Sequence, residues 1–209
     1  MVRRFGRKDR MMRLLLVRHG QSEWNAGRVL QGQADVPLSE LGRAQAAALA
    51  PSVAALAPDR AITSDLVRAS ATAAILGHPD ARPDPALREI DVGVWEGRSI
   101  PELQAEDPEG YAGWRAGTHR PDGGEDWGSF VARVGETIRR ECALGGRTAL
   151  VVCHGGVIRA VMDAFLGLRP RHVLPVAPAS LTVLRLNGDA ARLELFNFRP
   201  GGPELGAPD

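Results

Sequence analysis

The sequence predicts an α/β protein, a three-layer α/β/α sandwich with one mostly parallel central sheet. Three observations predict it. The runs Leu14-Leu15-Leu16-Val17 and Ala149-Leu150-Val151-Val152 are short and continuously apolar, as strands buried on both faces of a sheet are. Ala- and Leu-rich stretches of helical length alternate with such runs along the chain. The length of 209 residues suffices for one ordinary core of this kind.

Taken in order, residues 1–10 read as a flexible basic extension. Arg3-Arg4-Phe5 faintly resembles an export signal, but the apolar run after it is too short and ends in Arg18-His19. The domain itself is expected over 11–199, and its first strand contains Leu14 to Val17. Ser39 and Glu40 open a helix to about residue 57, which Pro58-Asp59 breaks. Ala61-Ile62-Thr63 is a second strand. Ser64 or Asp65 is expected to cap a helix over 66–76, closed by Gly77 and Pro79. Residues 80–98 read mostly as loop. Ser99-Ile100-Pro101-Glu102 has capping-box spacing with Pro in the first turn, and starts a short helix to about 106. The Gly- and Pro-rich stretch 108–126 carries one helical turn around 111–114. Phe130, Val131, Val134 and Ile138 recur at helical spacing within 127–144. Residues 148–153 form the strongest strand, His154-Gly155-Gly156 a sharp turn, and 157–165 a helix ended by Gly167 and Pro170. Residues 181–186 and 192–196 flank an Asn187-Gly188 turn as a hairpin. The tail 200–209 reads as disordered.

Composition narrows the function. A net charge of +1 provides no general field for nucleic acid, so any positive potential is local. The basic residues are almost all arginine, whose planar fork suits phosphate. No stretch approaches the roughly 18 apolar residues that span a membrane. Cys142 and Cys153 form neither a disulfide framework nor a metal-ligand pattern, which fits a reducing cytoplasm.

Three chemical signals stand at strand ends: Arg18-His19-Gly20, Ser64-Asp65 with Arg68 one helical turn on, and His154-Gly155-Gly156. If these strands are neighbours in a parallel sheet, the groups converge where such sheets bind ligands, beyond their carboxyl ends. Singly, each is a weak signal; His followed by Gly, twice, after an apolar strand is the stronger one. Two arginines and two histidines would bind a phosphate dianion with paired charge-assisted hydrogen bonds. Gly20 and Gly155 would let the backbone approach closely, and a helix starting after His154 would add free N–H groups. One neutral imidazole, its other nitrogen held by a hydrogen bond, can then act as nucleophile. Glu89 is the candidate proton donor, kept protonated in a crowded site beside the phosphate, although composition alone would sooner pair it with Arg88 at the surface. His78, His119 and His172 lack this context. Trp24, Trp95, Trp114 and Trp127 read as core or pocket wall.

The stretch Leu16-Val17-Arg18-His19-Gly20-Gln21-Ser22-Glu23-Trp24-Asn25 resembles the signature of the histidine phosphatase superfamily, also called phosphoglycerate mutase-like. Further segments resemble that family in order: Gln31-Gly32-Gln33, Pro37 to Gly42, Ser64-Asp65-Leu66 with Arg68, Leu87-Arg88-Glu89, Gly123-Gly124-Glu125 and Val152 to Gly156. The resemblance implies the phosphoglycerate mutase-like fold. It implies His19 as the phosphorylated nucleophile, Arg18, Arg68 and His154 as holders of the phosphoryl oxygens, and Glu89 as proton donor and later base. It places Asn25 and Gln31 in the phosphate pocket and Glu125 on the substrate side, with no metal or organic cofactor.

The same resemblance separates two activities. The segment at Leu87-Arg88-Glu89 continues with Gly93 and Trp95-Glu96-Gly97, and mutases of the family carry a Lys shortly after that last Gly, where this chain has Arg98, Ser99 and Ile100. They also carry two adjacent arginines after a Trp, where Trp114 is followed by Arg115 and Ala116. Those residues grip a second anionic group, so their loss favours hydrolysis of a small phosphate ester. Asp126 stands where a Ser often follows Gly-Gly-Glu in the family, which adds a negative charge beside Glu125. Gln31-Gly32 and Leu195-Phe196-Asn197 resemble bacterial phosphatases of the family, glucosyl-3-phosphoglycerate phosphatases among them. The alternatives are a cofactor-dependent phosphoglycerate mutase and a non-catalytic phosphate-binding module, and the intact His19, Glu89 and His154 argue against the latter. The expected partner is a small-molecule phosphate ester, neither nucleic acid nor membrane. A homodimer is compatible with this reading.

Overall fold

The computed structural model describes residues 11–187 and 190–202. The expectations for residues 1–10, for Gly188 in the hairpin turn and for residues 203–209 of the tail lie outside them. Among the described residues six strands, β1 (Met12–Arg18), β2 (Arg60–Thr63), β3 (Arg82–Pro83), β4 (Thr148–Cys153), β5 (Leu181–Asn187) and β6 (Ala190–Phe198), form one sheet in the order β3-β2-β4-β1-β5-β6. Pairings β3–β2, β2–β4 and β4–β1 are parallel, and β1–β5 and β5–β6 are antiparallel. The parallel part holds the three strands that carry the chemistry, and the hairpin closes the other edge.

Among the described residues seven α-helices accompany the sheet: α1 (Glu23–Ala26), α2 (Glu40–Ala55), α3 (Val67–Ile75), α4 (Ile100–Glu106), α5 (Pro108–Ala116), α6 (Trp127–Ala143) and α7 (Gly155–Leu166). Because side chains alternate across a strand, β1 and β4 feed two cores. Leu15, Val17, Leu150 and Val152 pack with Leu49 and Val53 of α2 and Ala69 and Ala73 of α3. Leu14, Leu16, Val151 and Cys153 pack on the other face with Phe130, Val134 and Ile138 of α6 and Val157, Ile158 and Val161 of α7. This is the predicted sandwich, and the doubly buried strands explain why both apolar runs are uninterrupted.

Several expectations need correction. Neither Ser64 nor Asp65 caps α3. Its N-cap is Leu66, without a side-chain bond, and Asp35 from the loop before α2 accepts from the Val67 N–H at 2.7 Å instead. Asp65 is drawn away by a two-pronged pair with Arg88, at 2.8 and 2.6 Å. The single turn expected around 111–114 is the full helix α5, capped by Asp107 at 2.8 Å and ended by Gly117 in the left-handed region. Helix α7 begins directly at Gly155, with His154 as its N-cap residue. The loop 80–98 contains the two-residue strand β3, and the four-residue α1, closed by a Ser22–Asn25 capping box, went unpredicted.

Candidate active site

The parallel register assembles the site. Arg18 pairs with Cys153 across β1 and β4, so His19 and His154 leave the sheet side by side, their ring centroids 5.1 Å apart. The His19 N–H binds the Cys153 carbonyl at 2.9 Å, and the Ser64 N–H binds the Val152 carbonyl at 2.9 Å. The second bond brings Ser64, at the end of β2, to the His154 ring, where its hydroxyl lies 2.9 Å from Nε2. Arg68 follows on the first turn of α3 and is 1% exposed. Arg18, His19, Arg68, Glu89, His154, Asn25, Gln31 and Gly155 all line one open cavity of about 780 Å³.

Gly20 turns the chain beneath His19. A Cβ there would stand 2.2 Å from the Gly42 carbonyl oxygen of α2, so this close approach requires glycine. The Gly20 carbonyl in turn accepts from Nδ1 of His19 at 2.6 Å. A carbonyl only accepts, so the proton sits on Nδ1 and the lone pair on Nε2. Burial, reinforced by the charges of Arg68 and Arg18, holds His19 well below its ordinary pKa. Burial and the charge of Arg68 do the same to His154. Both rings are therefore neutral at pH 7, which for His19 means an available nucleophile.

The cationic groups are anchored by carbonyls. Arg18 donates to the Val176 carbonyl at 2.6 Å, and Arg68 donates to those of Ala34 and Gly32 at 2.6 and 2.9 Å. Among the described residues, the buried Nε of Arg18, Nε of Arg68 and Nδ1 of His154 have no hydrogen-bond partner. Burial lowers Arg18 and takes Arg68 down to about 10, and Glu89 partly offsets both. At pH 7 each guanidinium remains charged. Ser22 orders the amides: its hydroxyl donates to Gln31 Oε1 at 2.7 Å, and its N–H donates to Asn25 Oδ1 at 3.1 Å. Both amide NH2 groups are thereby left as donors, as an anion requires. Asn197 steadies the loop behind Arg18, accepting from the Ala177 N–H at 2.7 Å.

Glu89 does not pair with Arg88, which Asp65 has taken. Its Oε2 accepts from the Gly156 N–H and its Oε1 from the Ile90 N–H, each at 2.9 Å. The first turn of α7 is therefore partly engaged by the Glu89 side chain, where sequence alone had left its N–H groups free. The steric demand also falls on Gly156 instead of Gly155. A Cβ on Gly156 would stand 2.1 Å from Glu89 Oε1, whereas one on Gly155 would be 3.6 Å from Arg18 Cζ.

Glu125 is placed differently from expectation. It is not among the residues lining the cavity but grips Arg133 of α6 at 2.9 and 2.7 Å. Arg133 then donates to the carbonyls of Ala86, Arg88 and Glu89, at 2.9, 3.0 and 3.2 Å. Asp126 caps α6 through the Ser129 N–H at 2.9 Å, so its charge serves the helix end. Sequence reasoning missed Arg159 of α7 and left Arg115 of α5 without a place; both line the cavity, as do Trp114 and Trp127. One signal for Arg159 was legible: it stands one helical turn after Gly155 and Gly156. Among the described residues no group of three or more His, Cys, Asp or Glu is arranged to hold a metal ion, and no helix is long and apolar enough to cross a membrane.

Comparison with known proteins agrees with this geometry. Residues 14–199 match the family model of the histidine phosphatase superfamily (branch 1). A glucosyl-3-phosphoglycerate phosphatase of Mycolicibacterium vanbaalenii is 39% identical over 171 residues, 76% of each chain. A probable phosphoglycerate mutase of Cronobacter sakazakii is 38% identical over 172 residues, again 76% of each. Among solved structures, a mycobacterial glucosyl-3-phosphoglycerate phosphatase in complex with VO3 superposes with a TM-score of 0.81 at 34% identity, covering 89% of this chain and 98% of its own. With the two histidines side by side at the ends of parallel strands and residues 14–199 matched, the chain belongs to the histidine phosphatase superfamily, branch 1.

Proposed function

We propose that the protein hydrolyses a small phosphorylated metabolite, a sugar phosphate or phosphoglycerate-type ester, through a phosphohistidine intermediate. The observation that carries the reading is the Nδ1–H bond from His19 to the Gly20 carbonyl, which leaves Nε2 unprotonated in a cavity walled by two buried guanidinium groups. In this reading Nε2 attacks phosphorus in line with the ester oxygen. Arg18, Arg68, His154, Asn25 and Gln31 hold the three equatorial oxygens, where phosphoryl transfer concentrates its charge. Glu89 gives its proton to the leaving oxygen, the P–O bond breaks, and the alcohol departs. Water then attacks the phosphohistidine as Glu89 takes up its proton, releasing phosphate and restoring His19.

The names of the similar phosphatases support hydrolysis, as does the absence of an arginine directly after Arg115. Two arginines supply the charge, so the reaction is proposed to need no metal. The setting is proposed to be the cytoplasm, with which the two free cysteines agree. The test is release of phosphate from a chromogenic ester, with and without a chelator. Activity unchanged by chelator, an acid-labile phosphoenzyme, and loss of both in His19→Ala are expected. Turnover retained in His19→Ala would rule out His19 as nucleophile. Interconversion of 2- and 3-phosphoglycerate faster than phosphate release would favour a mutase.

A further inference from the structure

The two histidines of the site are alike in charge but have opposite tasks. Both rings are buried and neutral, so each carries one N–H and one lone pair. His19 must offer a lone pair to phosphorus, whereas His154 must offer an N–H to a phosphoryl oxygen. What a ring offers is set by the partner of its other nitrogen. For His19 that partner is the Gly20 carbonyl, which only accepts. For His154 it is the Ser64 hydroxyl, 2.9 Å from Nε2, which can either donate or accept.

The surroundings of Ser64 decide which. The residue is fully buried and is not among those lining the cavity. Its backbone is held on both sides: its N–H donates to the Val152 carbonyl at 2.9 Å, and its carbonyl accepts from the Thr63 hydroxyl at 3.0 Å. Among the described residues its Oγ has one contact besides the ring, the Leu66 N–H at 3.4 Å. An N–H only donates, so the hydroxyl's own hydrogen has a single acceptor, Nε2 of His154. The reverse bond, from an Nε2–H to Oγ, would leave that hydrogen buried and unpaired. It would also put a lone pair on Nδ1, which is buried and has no partner among the described residues. We propose that Ser64 is a positioning residue that sets the tautomer of His154: its hydroxyl donates to Nε2 and keeps the ring proton on Nδ1, as the donor to a phosphoryl oxygen. The inference rests on the phosphatase reading for its ligand, but the tautomer exists without turnover. The hydroxyl that the sequence offered as a helix cap thus serves a ring 90 positions later.

The test reads the ring proton directly. Two-bond 1H–15N correlation spectra of the 15N-labelled full chain, at pH 7 in a buffer without phosphate, distinguish rings protonated on Nδ1, on Nε2 or on both. The pattern lost in His154→Gln belongs to residue 154. The wild-type protein should show His154 protonated on Nδ1 alone. Ser64→Ala should spread the proton over both nitrogens, and Ser64→Thr, which keeps a hydroxyl, should restore the wild-type pattern. With the chromogenic ester, Ser64→Ala should lower kcat/KM roughly threefold to tenfold, the range for one neutral hydrogen bond, and Ser64→Thr should recover most of it. A merely structural role for Ser64 would lower stability without moving the proton. His154 protonated on Nε2 or on both nitrogens in the wild type, or a Ser64→Ala protein with the wild-type spectrum and kcat/KM, would overturn the inference. Absence of phosphate release by the wild type would instead refute the phosphatase reading, and the spectra would still decide the tautomer.

Discussion

At the scale of single residues, two adjacent glycines make a sharp contrast. Gly156 gives its N–H to Glu89, whose carboxyl group would have to move to admit a side chain there, while Gly155 faces Arg18 at ordinary contact distance. Gly156→Ala must displace the Glu89 carboxylate, or the chain that carries it. Its kcat should fall roughly tenfold to a hundredfold, the cost of a misplaced catalytic group, with Gly155→Ala much less affected. Equal kcat values for the two variants would show that Glu89 is not fixed by this contact. Ser22 shows how a residue outside the reaction sets the chemistry, since its hydroxyl and N–H bind the acceptor ends of Gln31 and Asn25. The sequence marked the amides through family resemblance, but only the fold shows why their donor ends remain available.

At the scale of elements, the loop that carries Glu89 depends on α6. Arg133 bridges three carbonyls of residues 86, 88 and 89 while Glu125 holds its other edge. An ammonium group cannot reproduce that planar fork. Arg133→Lys should therefore lower kcat about tenfold or more with a smaller change in KM, because positioning is lost and phosphate binding is not. Unchanged kcat in steady-state measurements would remove Arg133 as a positioning residue. The first motif depends on α2 in the same way. A Cβ at Gly42 would stand 1.9 Å from the Gln21 carbonyl oxygen, backbone against backbone, with no flexible side chain to yield. Gly42→Ala should destabilise the protein by roughly 1–3 kcal/mol, as overpacking does, read as a lower denaturation midpoint in urea. A midpoint matching wild type would show that α2 can shift without cost.

The whole molecule stores two neutral histidines between two arginines at the end of its sheet. Both have folded-state pKa values depressed by burial and by Arg68, and Arg18 adds to the effect. In the unfolded chain they return to about 6.5. As pH falls below that value the unfolded state binds protons that the folded state refuses, so stability drops. It should be complete above pH 7 and decline between about 6.5 and 5, by up to ~1.4 kcal/mol per pH unit for each histidine. Urea unfolding at a series of pH values, in a buffer without phosphate, measures this slope. A flat profile across the window would mean the rings are not held neutral. The paired carboxylates Asp65 and Glu194, both held low, act at more acid pH and do not obscure it.

By itself the sequence determined the layers and the principal actors. Uninterrupted apolar runs of this length suit strands buried on both faces, and residues such as His19 and His154 that follow such strands emerge at the sheet's carboxyl edge. Tertiary structure alone decided what joins segments far apart in the chain. Asp35 caps α3 in place of its neighbours Ser64 and Asp65, and Glu125 acts on Arg133 instead of lining the cavity. Gly156 admits a Cβ only if the Glu89 carboxyl group moves, and Arg159 reaches the Arg115 carbonyl. Each of these depends on distances between elements, which local pattern does not encode. A capping residue, an ion pair or a close backbone approach is chosen by whatever the packed helices and loops bring within a few ångströms.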